Sequence, residues 1–452
     1  MVGAGCPCGA NPGQSRLFLP SLDVPLAFVY SVVTWMLLPA SLLRLWWRGR
    51  RAPAYRERWR ERLGWYADNP RAATKPCVVF HAVSVGEVHA AQPLIDAFMQ
   101  LHPEVDIVLT TSTPTGSARV AALFGTRVQH VYLPWDLRAA TIRFLQHCKP
   151  CLLVLLETEL WPNLLRACRE QHCAVVLANA RLSEKSARGY RRFPALSRAM
   201  LKGLALVAAQ AEPDGQRFLA LGLMPEKLLI NGSLKFDVSI DTARVARAQA
   251  LKQQWSARPV WIAASTREGE DAKVLLAAQQ VLQRVPDALL VLVPRHPERF
   301  AEAAAQAVAA GLQVQYFSSA APVLPQTQVL VGDTMGDMVL YYSLADVAFV
   351  GGSLVDTGCQ NIIEPAALGL PVLTGPSLFN FQRVSELLVA SGGMRVVTDA
   401  AALAEALCGL LQDTAERRRL GALARAEVLR NQGSAGRLVT QLSALLTRAA
   451  SR

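Results

Sequence analysis

The feature that most limits what this chain can fold into is an alternation, repeated twice, of short apolar runs with longer amphipathic segments. The first set of runs is CVVFHAVS at Cys77, DIVLTTS at Asp106, VQHVYLP at Val128, LLVLLET at Leu152, AVVLANA at Ala174 and LALVAAQ at Leu204. Between them lie segments of helical period, such as 88–101 and 160–171. Such alternation predicts a doubly wound parallel sheet of α/β class. It restarts after a polar, helix-prone connector with PVWIAAS at Pro259, ALLVLVP at Ala288, QVQYFS at Gln313, VLVGD at Val329, DVAFVGG at Asp346 and LPVLTG at Leu370. Two such sets predict two Rossmann-like domains facing a cleft, 51–238 and 259–452, joined by a linker at 239–258. The last helical segments, 415–430 and 435–448, either cap the second domain or cross back to the first.

Ahead of these domains, residues 1–21 read as an irregular extension and 22–50 as a membrane anchor. The stretch 26–43, LAFVYSVVTWMLLPASLL, carries no formal charge and has the length of a transmembrane candidate. Arg44, Arg48, Arg50, Arg51, Arg56, Arg58, Arg60 and Arg62 follow it, which places the remainder of the chain in the cytoplasm, while Trp46 and Trp47 suit a headgroup layer. The reading is a span; Pro39 and Arg44 leave a half-inserted or interfacial anchor as the alternative. The net charge of +12 calls for an anionic partner. With no zinc-finger spacing, no aromatic RNA-binding signature and no basic recognition helix, membrane phosphate is preferred to nucleic acid. Nine cysteines, scattered and odd in number, form no disulfide framework, and Cys148, Cys151, Cys168 and Cys173 read as ordinary core or surface residues.

Candidate chemistry gathers at the predicted strand ends. In GGSLVDTGCQNIIEPAALGLPVLTGP, 351–376, a strand runs into a Gly pair and a short helix carrying Glu364. A carboxylate there can accept from ribose hydroxyls, and helix N-termini and Gly-rich turns offer N–H groups to a phosphate. The plainer reading is a helix started by an acidic residue and closed by Gly369. In HAVSVGE, Glu87 is a candidate general base. The helix dipole would lower its pKa and burial would raise it, and the sequence leaves the two open. ETELWPNLL sets Glu157 and Glu159 on one side of an extended segment, with Arg181 or Lys235 as possible cationic neighbours. PRHPER brings Arg295 and His296 to a strand end, and GDTMGDM brings Met335, Gly336 and Asp337 to the start of a helix. P-loop, GxGxxG, HExxH and Asp-x-Asp patterns are missing, which argues against ATP hydrolysis, nicotinamide chemistry and metal-dependent sugar transfer.

Taken together and in order, HAVSVGE, ETELWPNLL, NARLSEKSARGY, LVPRHPERF and DVAFVGGSLV resemble the Kdo transferases, which move 3-deoxy-D-manno-oct-2-ulosonic acid (Kdo) from CMP-Kdo to a lipid A precursor. The resemblance runs from about residue 22 to about residue 436. It implies a GT-B type fold with an N-terminal acceptor domain and a C-terminal CMP-sugar domain, and an inverting transfer to lipid IVA without metal or other cofactor. It also implies a place on the cytoplasmic face of the inner membrane, against anionic lipid. By the same resemblance Glu87 is the proton acceptor, and Glu157 and Lys235 stabilise the transition state. The donor would be held by Pro294 and Arg295, by Met335, Gly336 and Asp337, and by Asn361, Ile362, Ile363 and Glu364. Asp337 stands where the family usually has Glu, and Cys359-Gln360 where it usually has Gly-His. Two rivals remain: a UDP-sugar transferase acting on a lipid, and a nucleotide-sugar epimerase, which has no need of an anchor.

Overall fold

The computed structural model describes residues 23–67, 75–255 and 257–450; the extension 1–21 lies outside them. The described chain falls into two compact units. The first holds the residues up to Val88, Leu101–Ile230 and the segment from Leu442; the second holds His89–Gln100 and Asn231–Gln441.

The first unit is built on β1 (Cys77–His81), β2 (Asp106–Thr111), β3 (Gln129–Tyr132), β4 (Leu152–Leu156), β5 (Ala174–Ala180), β6 (Leu206–Ala209) and β7 (Leu228–Ile230). They form one parallel sheet in the order β3-β2-β1-β4-β5-β6-β7. The second is built on β8 (Val260–Thr266), β9 (Leu289–Pro294), β10 (Val314–Tyr316), β11 (Val329–Val331), β12 (Val347–Val350), β13 (Val372–Thr374) and β14 (Met394–Val396), in the order β10-β11-β9-β8-β12-β13-β14. Every pairing is again parallel. Both sheets therefore reverse their winding once, between β1 and β4 and between β8 and β12, and at such a point the crossovers leave in opposite directions and open a crevice at the carboxyl edge.

Burial on both faces explains why the strands carry apolar runs rather than alternation. Leu153, Leu177, Val207, Phe144 and Phe218 share one core, and Trp261, Leu292, Phe349, Val281 and Leu407 another. Each such side chain contributes roughly 1.5–3 kcal/mol. The segment read as a linker forms a helix, Thr242–Gln253, and Ala248 and Trp255 sink into the core of the second unit beside Val260 and Leu340. Ahead of the first sheet stands one long helix, α1 (Asp23–Arg51), whose described stretch Phe28–Arg51 is long and apolar enough to cross a membrane by length and composition.

One buried side chain shapes the carboxyl edge of the second sheet. Glu270, fully buried, accepts from the backbone N–H groups of Gly352 (2.6 Å), Ser353 (3.0 Å), Leu354 (2.9 Å) and Arg267 (3.1 Å). It thereby ties the loop after β12 to the loop after β8. The loop can come this close because residue 351 lacks a side chain: a Cβ there would stand 2.7 Å from Glu270 Oε2. Substitution Glu270→Gln turns an NH2 group toward donors that need an acceptor, leaving about two of them unpaired. The expected loss is on the order of 3 kcal/mol, read as a lowered Tm. An unchanged Tm would show that the loop is held by something else.

Candidate active site

At the winding reversal of the first sheet, the chain leaving β1 enters α2 (Val85–Leu101) and the chain leaving β4 makes a turn through Glu157. Ser84 and Glu87 form a capping pair at the start of α2. The Val83 N–H donates to Glu87 Oε2 at 2.8 Å and the Ser84 hydroxyl to Oε1 at 3.0 Å. So Glu87 does sit at a helix start, yet its pKa moves upward, to about 7. Burial is the largest cause, opposed by those hydrogen bonds and reinforced by the negative charges of Glu157 and Glu159. Burial also raises Glu159, whose carboxylate accepts from Trp161 Nε1 at 2.8 Å. No cation enters the surroundings that set either group. Of the two outcomes expected for the Glu157 and Glu159 pair, one raised pKa or a cationic neighbour, the first is seen at Glu159; the Arg181 contact found here is its carbonyl, which accepts from the Thr158 hydroxyl.

The pair is brought together differently from the extended segment expected for it. Glu157 has φ 58°, a left-handed conformation that a side chain tolerates poorly, and its N–H donates to the Ala178 carbonyl at 2.9 Å. Such strain is held in place by surrounding structure and is concentrated at functional sites. Beside this cluster a cavity of about 490 Å³ opens between α1 and the carboxyl edge of the sheet. Glu159, Val83, Ser112, Trp135 and Leu137 line it, and Arg44 and Arg62 bring positive charge.

In the second unit the donor candidates collect along one edge. Pro294 ends β9 and Arg295 follows it, with Nε 3.3 Å from Gln360 Oε1. The Arg267 guanidinium lies 2.6 Å from His296 Nε2, and burial together with Arg267 and Arg295 holds His296 below its ordinary pKa. Ser265, with φ 59°, sits at a register shift between β8 and β9 that redirects the chain into this cluster. Met335 is exposed, Gly336 has φ 86°, and Asp337 precedes the helix Met338–Leu344. The Asp337 carboxylate is engaged locally, by the Thr334 hydroxyl at 2.7 Å and Arg244 at 3.4 Å.

Just ahead of the short helix Ile363–Ala367, the Asn361 side chain accepts from the Ile363 N–H at 3.0 Å and donates to Glu364 Oε1 at 2.9 Å. Burial raises the Glu364 pKa. Ile362 and Ile363 differ from the other donor candidates: both side chains are buried in the core with Val372 and Leu388, and only their backbone remains for a ligand. Lys235 belongs to the second unit, its Nζ 5.0 Å above the Phe381 ring, and its charge acts on the buried thiol of Cys359. Gln360, standing at the His position of the family pattern, links Arg295 to the Gly358 carbonyl at 3.1 Å. The sequence reading missed Arg267 and Glu270. Their signal was the REGED segment directly after β8, the strand at the winding reversal.

Residues 57–238 match the family of 3-deoxy-D-manno-octulosonic-acid transferases (kdotransferases). The 3-deoxy-D-manno-octulosonic acid transferase of Haemophilus influenzae is 39% identical over 93% of this chain and 99% of its own length. That of Bordetella pertussis is 39% identical over 92% and 98%. Among solved structures, a glycosyltransferase from Rickettsia africae (12% identity, 83% of this chain and 99% of that one) and UDP-GlcNAc 2-epimerase from Neisseria meningitidis (16%, 82% and 99%) each give a TM-score of 0.55. These distant likenesses establish a GT-B-like fold that transferases and epimerases share. The sequence likeness separates them: with two Rossmann-like sheets and near full-length relatives at this identity, the chain belongs to the 3-deoxy-D-manno-octulosonic acid transferase family.

Proposed function

We propose that the chain transfers Kdo from CMP-Kdo to a lipid A precursor, lipid IVA, in a single inverting displacement without a metal, at the cytoplasmic face of the inner membrane. The observation that carries this reading is Glu87, a carboxylate whose pKa of about 7 suits a general base at neutral pH. An acceptor hydroxyl attacks the ketosidic carbon and passes its proton to Glu87. The bond from that carbon to the CMP phosphate breaks, and the electron pair leaves on the phosphate oxygen. Negative charge thus grows on the phosphate while positive charge grows on the sugar. Fixed cations and dipoles lower the barrier most where such charge develops. Arg295 and Lys235 are assigned to the phosphate, together with the backbone N–H groups near Gly336 and Asn361, and Glu364 to the ribose hydroxyls. Glu157 is assigned to the positive charge on the sugar. The cavity beside Glu159 is assigned to the acceptor, its apolar wall to acyl carbon and Arg44 and Arg62 to the acceptor's phosphates.

Three measurements test this assignment. Only deprotonated Glu87 can accept a proton, so kcat/KM should fall about tenfold per pH unit below a midpoint near 7 and level off above it. A flat profile down to pH 5.5 would remove Glu87 from the proton transfer. Replacement Glu87→Gln should lower kcat by roughly 10²–10⁴ with CMP affinity within about twofold of the parent; full turnover would contradict it. Arg295→Ala should weaken CMP binding by roughly 10–100-fold in titration calorimetry, the worth of one charge-assisted bond, and unaltered affinity would release Arg295 from the donor site.

A further inference from the structure

The geometry points to α1 lying flat in the membrane surface rather than crossing the bilayer. One stripe of the helix faces the first unit along nearly its whole described length. Tyr30, Thr34, Leu38, Ser41, Leu45 and Gly49 are half-buried or buried at intervals of three and four residues. From Tyr30 to Gly49 the helix rises about 28 Å, nearly the whole ~30 Å hydrocarbon thickness that a span must place in lipid.

What the stripe meets is polar. The Ser31 hydroxyl donates to Asn163 Oδ1 at 2.9 Å, and Tyr30 hydrogen-bonds to Asp136. Asp136 is itself buried and accepts from the N–H groups of Asn163 (2.9 Å) and Leu164 (2.8 Å) at the start of helix Pro162–Glu170. At the other end of α1, Arg48 donates to the Tyr55 hydroxyl at 2.8 Å. Buried Arg62, in the 3-10 turn Trp59–Leu63 beyond the helix, donates to the Ser112 carbonyl at 3.1 Å. The helix is thus fastened to the α/β body through Tyr30 and Ser31, and its other end packs on the turn Pro53–Arg56, beyond which Arg62 ties the chain to the same body. A perpendicular span would draw that body, with its buried carboxylate and guanidinium, into hydrocarbon, where such groups are costly.

The opposite face has the chemistry of a lipid surface. Phe28, Val32, Met36, Leu43 and Trp47 are all exposed on it, Met36 to 75% and Phe28 to 68%. Arg50 stacks over Trp46 at 4.2 Å and Arg51 over Trp47 at 5.5 Å, an arrangement that lets guanidinium groups stay at the headgroups while their ring partners enter the boundary. The occupant of this face is an anionic bilayer, because an apolar strip bordered by arginines and without acidic side chains matches acyl chains under phosphate. Arg58 and Arg62 do not contribute: the first pairs with Glu61 at 2.6 Å and the second is buried. With α1 in the plane, the cavity it roofs opens at headgroup depth, so an amphiphile reaches the Glu87 cluster by moving sideways.

This inference rests on the membrane reading above and is tested with the full chain carrying one epitope tag at each terminus. In sealed inside-out vesicles an in-plane helix leaves both tags on the outer side, and protease removes both without detergent. An N-terminal tag cleaved only after detergent overturns the in-plane placement and leaves the transferase reading untouched. In a second arm, purified protein is floated with phosphatidylcholine vesicles or with vesicles containing phosphatidylglycerol. At least ~tenfold stronger binding to the anionic vesicles is expected, and it should be lost in the double variant Val32→Lys, Met36→Lys with the Tm unchanged. Failure to float with either vesicle overturns membrane attachment itself, and with it the in-plane helix.

Discussion

The constraint on which everything else depends is that a parallel sheet covered on both faces has no room for chemistry along its strands. Polar side chains are pushed to the carboxyl edge, and the crevice there is widest where the winding reverses. In this chain the reversals fall between β1 and β4 and between β8 and β12. Glu87 and Glu157 follow the first pair of strands, and Arg267, Glu270 and the Gly351-Gly352 loop follow the second. A short list of residues is thus selected by topology before any chemistry is considered.

The two edges are charged in opposite senses, and each is left partly unneutralised. Around Glu87 the neighbouring charges are other carboxylates, which, with burial, push it toward holding a proton at neutral pH. Around Arg295 the neighbours include Arg267 and His296, and crowding of positive charge with burial pushes His296 toward losing one. Like charges held together destabilise a folded protein unless a ligand relieves them. A carboxylate that gains by taking a proton and a cation cluster that gains by taking an anion are what the proposed displacement calls for, since it releases a proton and CMP. The strained backbone at Glu157 and Ser265 fits the same pattern, with local conformational preference giving way at both edges.

Much of this was legible in the chain. Long, apolar strands such as LLVLLET and ALLVLVP are visible because burial on both faces selects unbroken hydrophobic runs. β7 and β14 were not, because three-residue edge strands with half their surface exposed need no such run. Glu87 and Arg295 stood out by their position after a strand. The sign of the Glu87 shift did not, because helix dipole and burial oppose each other and only packing decides between them. Glu270 escaped since an acidic residue before a helix is ordinary; its four N–H partners come partly from a loop some eighty residues later. Ile362 and Ile363 were carried by the motif around them, whereas their apolar side chains belong to the core. The α1 stripe was hidden because serine, threonine and tyrosine inside an apolar helix do not announce whether they face protein or lipid.

The central claim is that this fold and these two edges serve the transfer of a cytidylate-linked Kdo to a lipid. It is tested most directly by mass analysis of the acceptor after the purified protein is incubated with lipid A precursor and either CMP-Kdo or UDP-linked sugars. The account predicts an acceptor enlarged by Kdo, with release of CMP, in the first case and an unchanged acceptor in the second. Transfer from a UDP-sugar, or consumption of CMP-Kdo with the lipid unmodified, would contradict it.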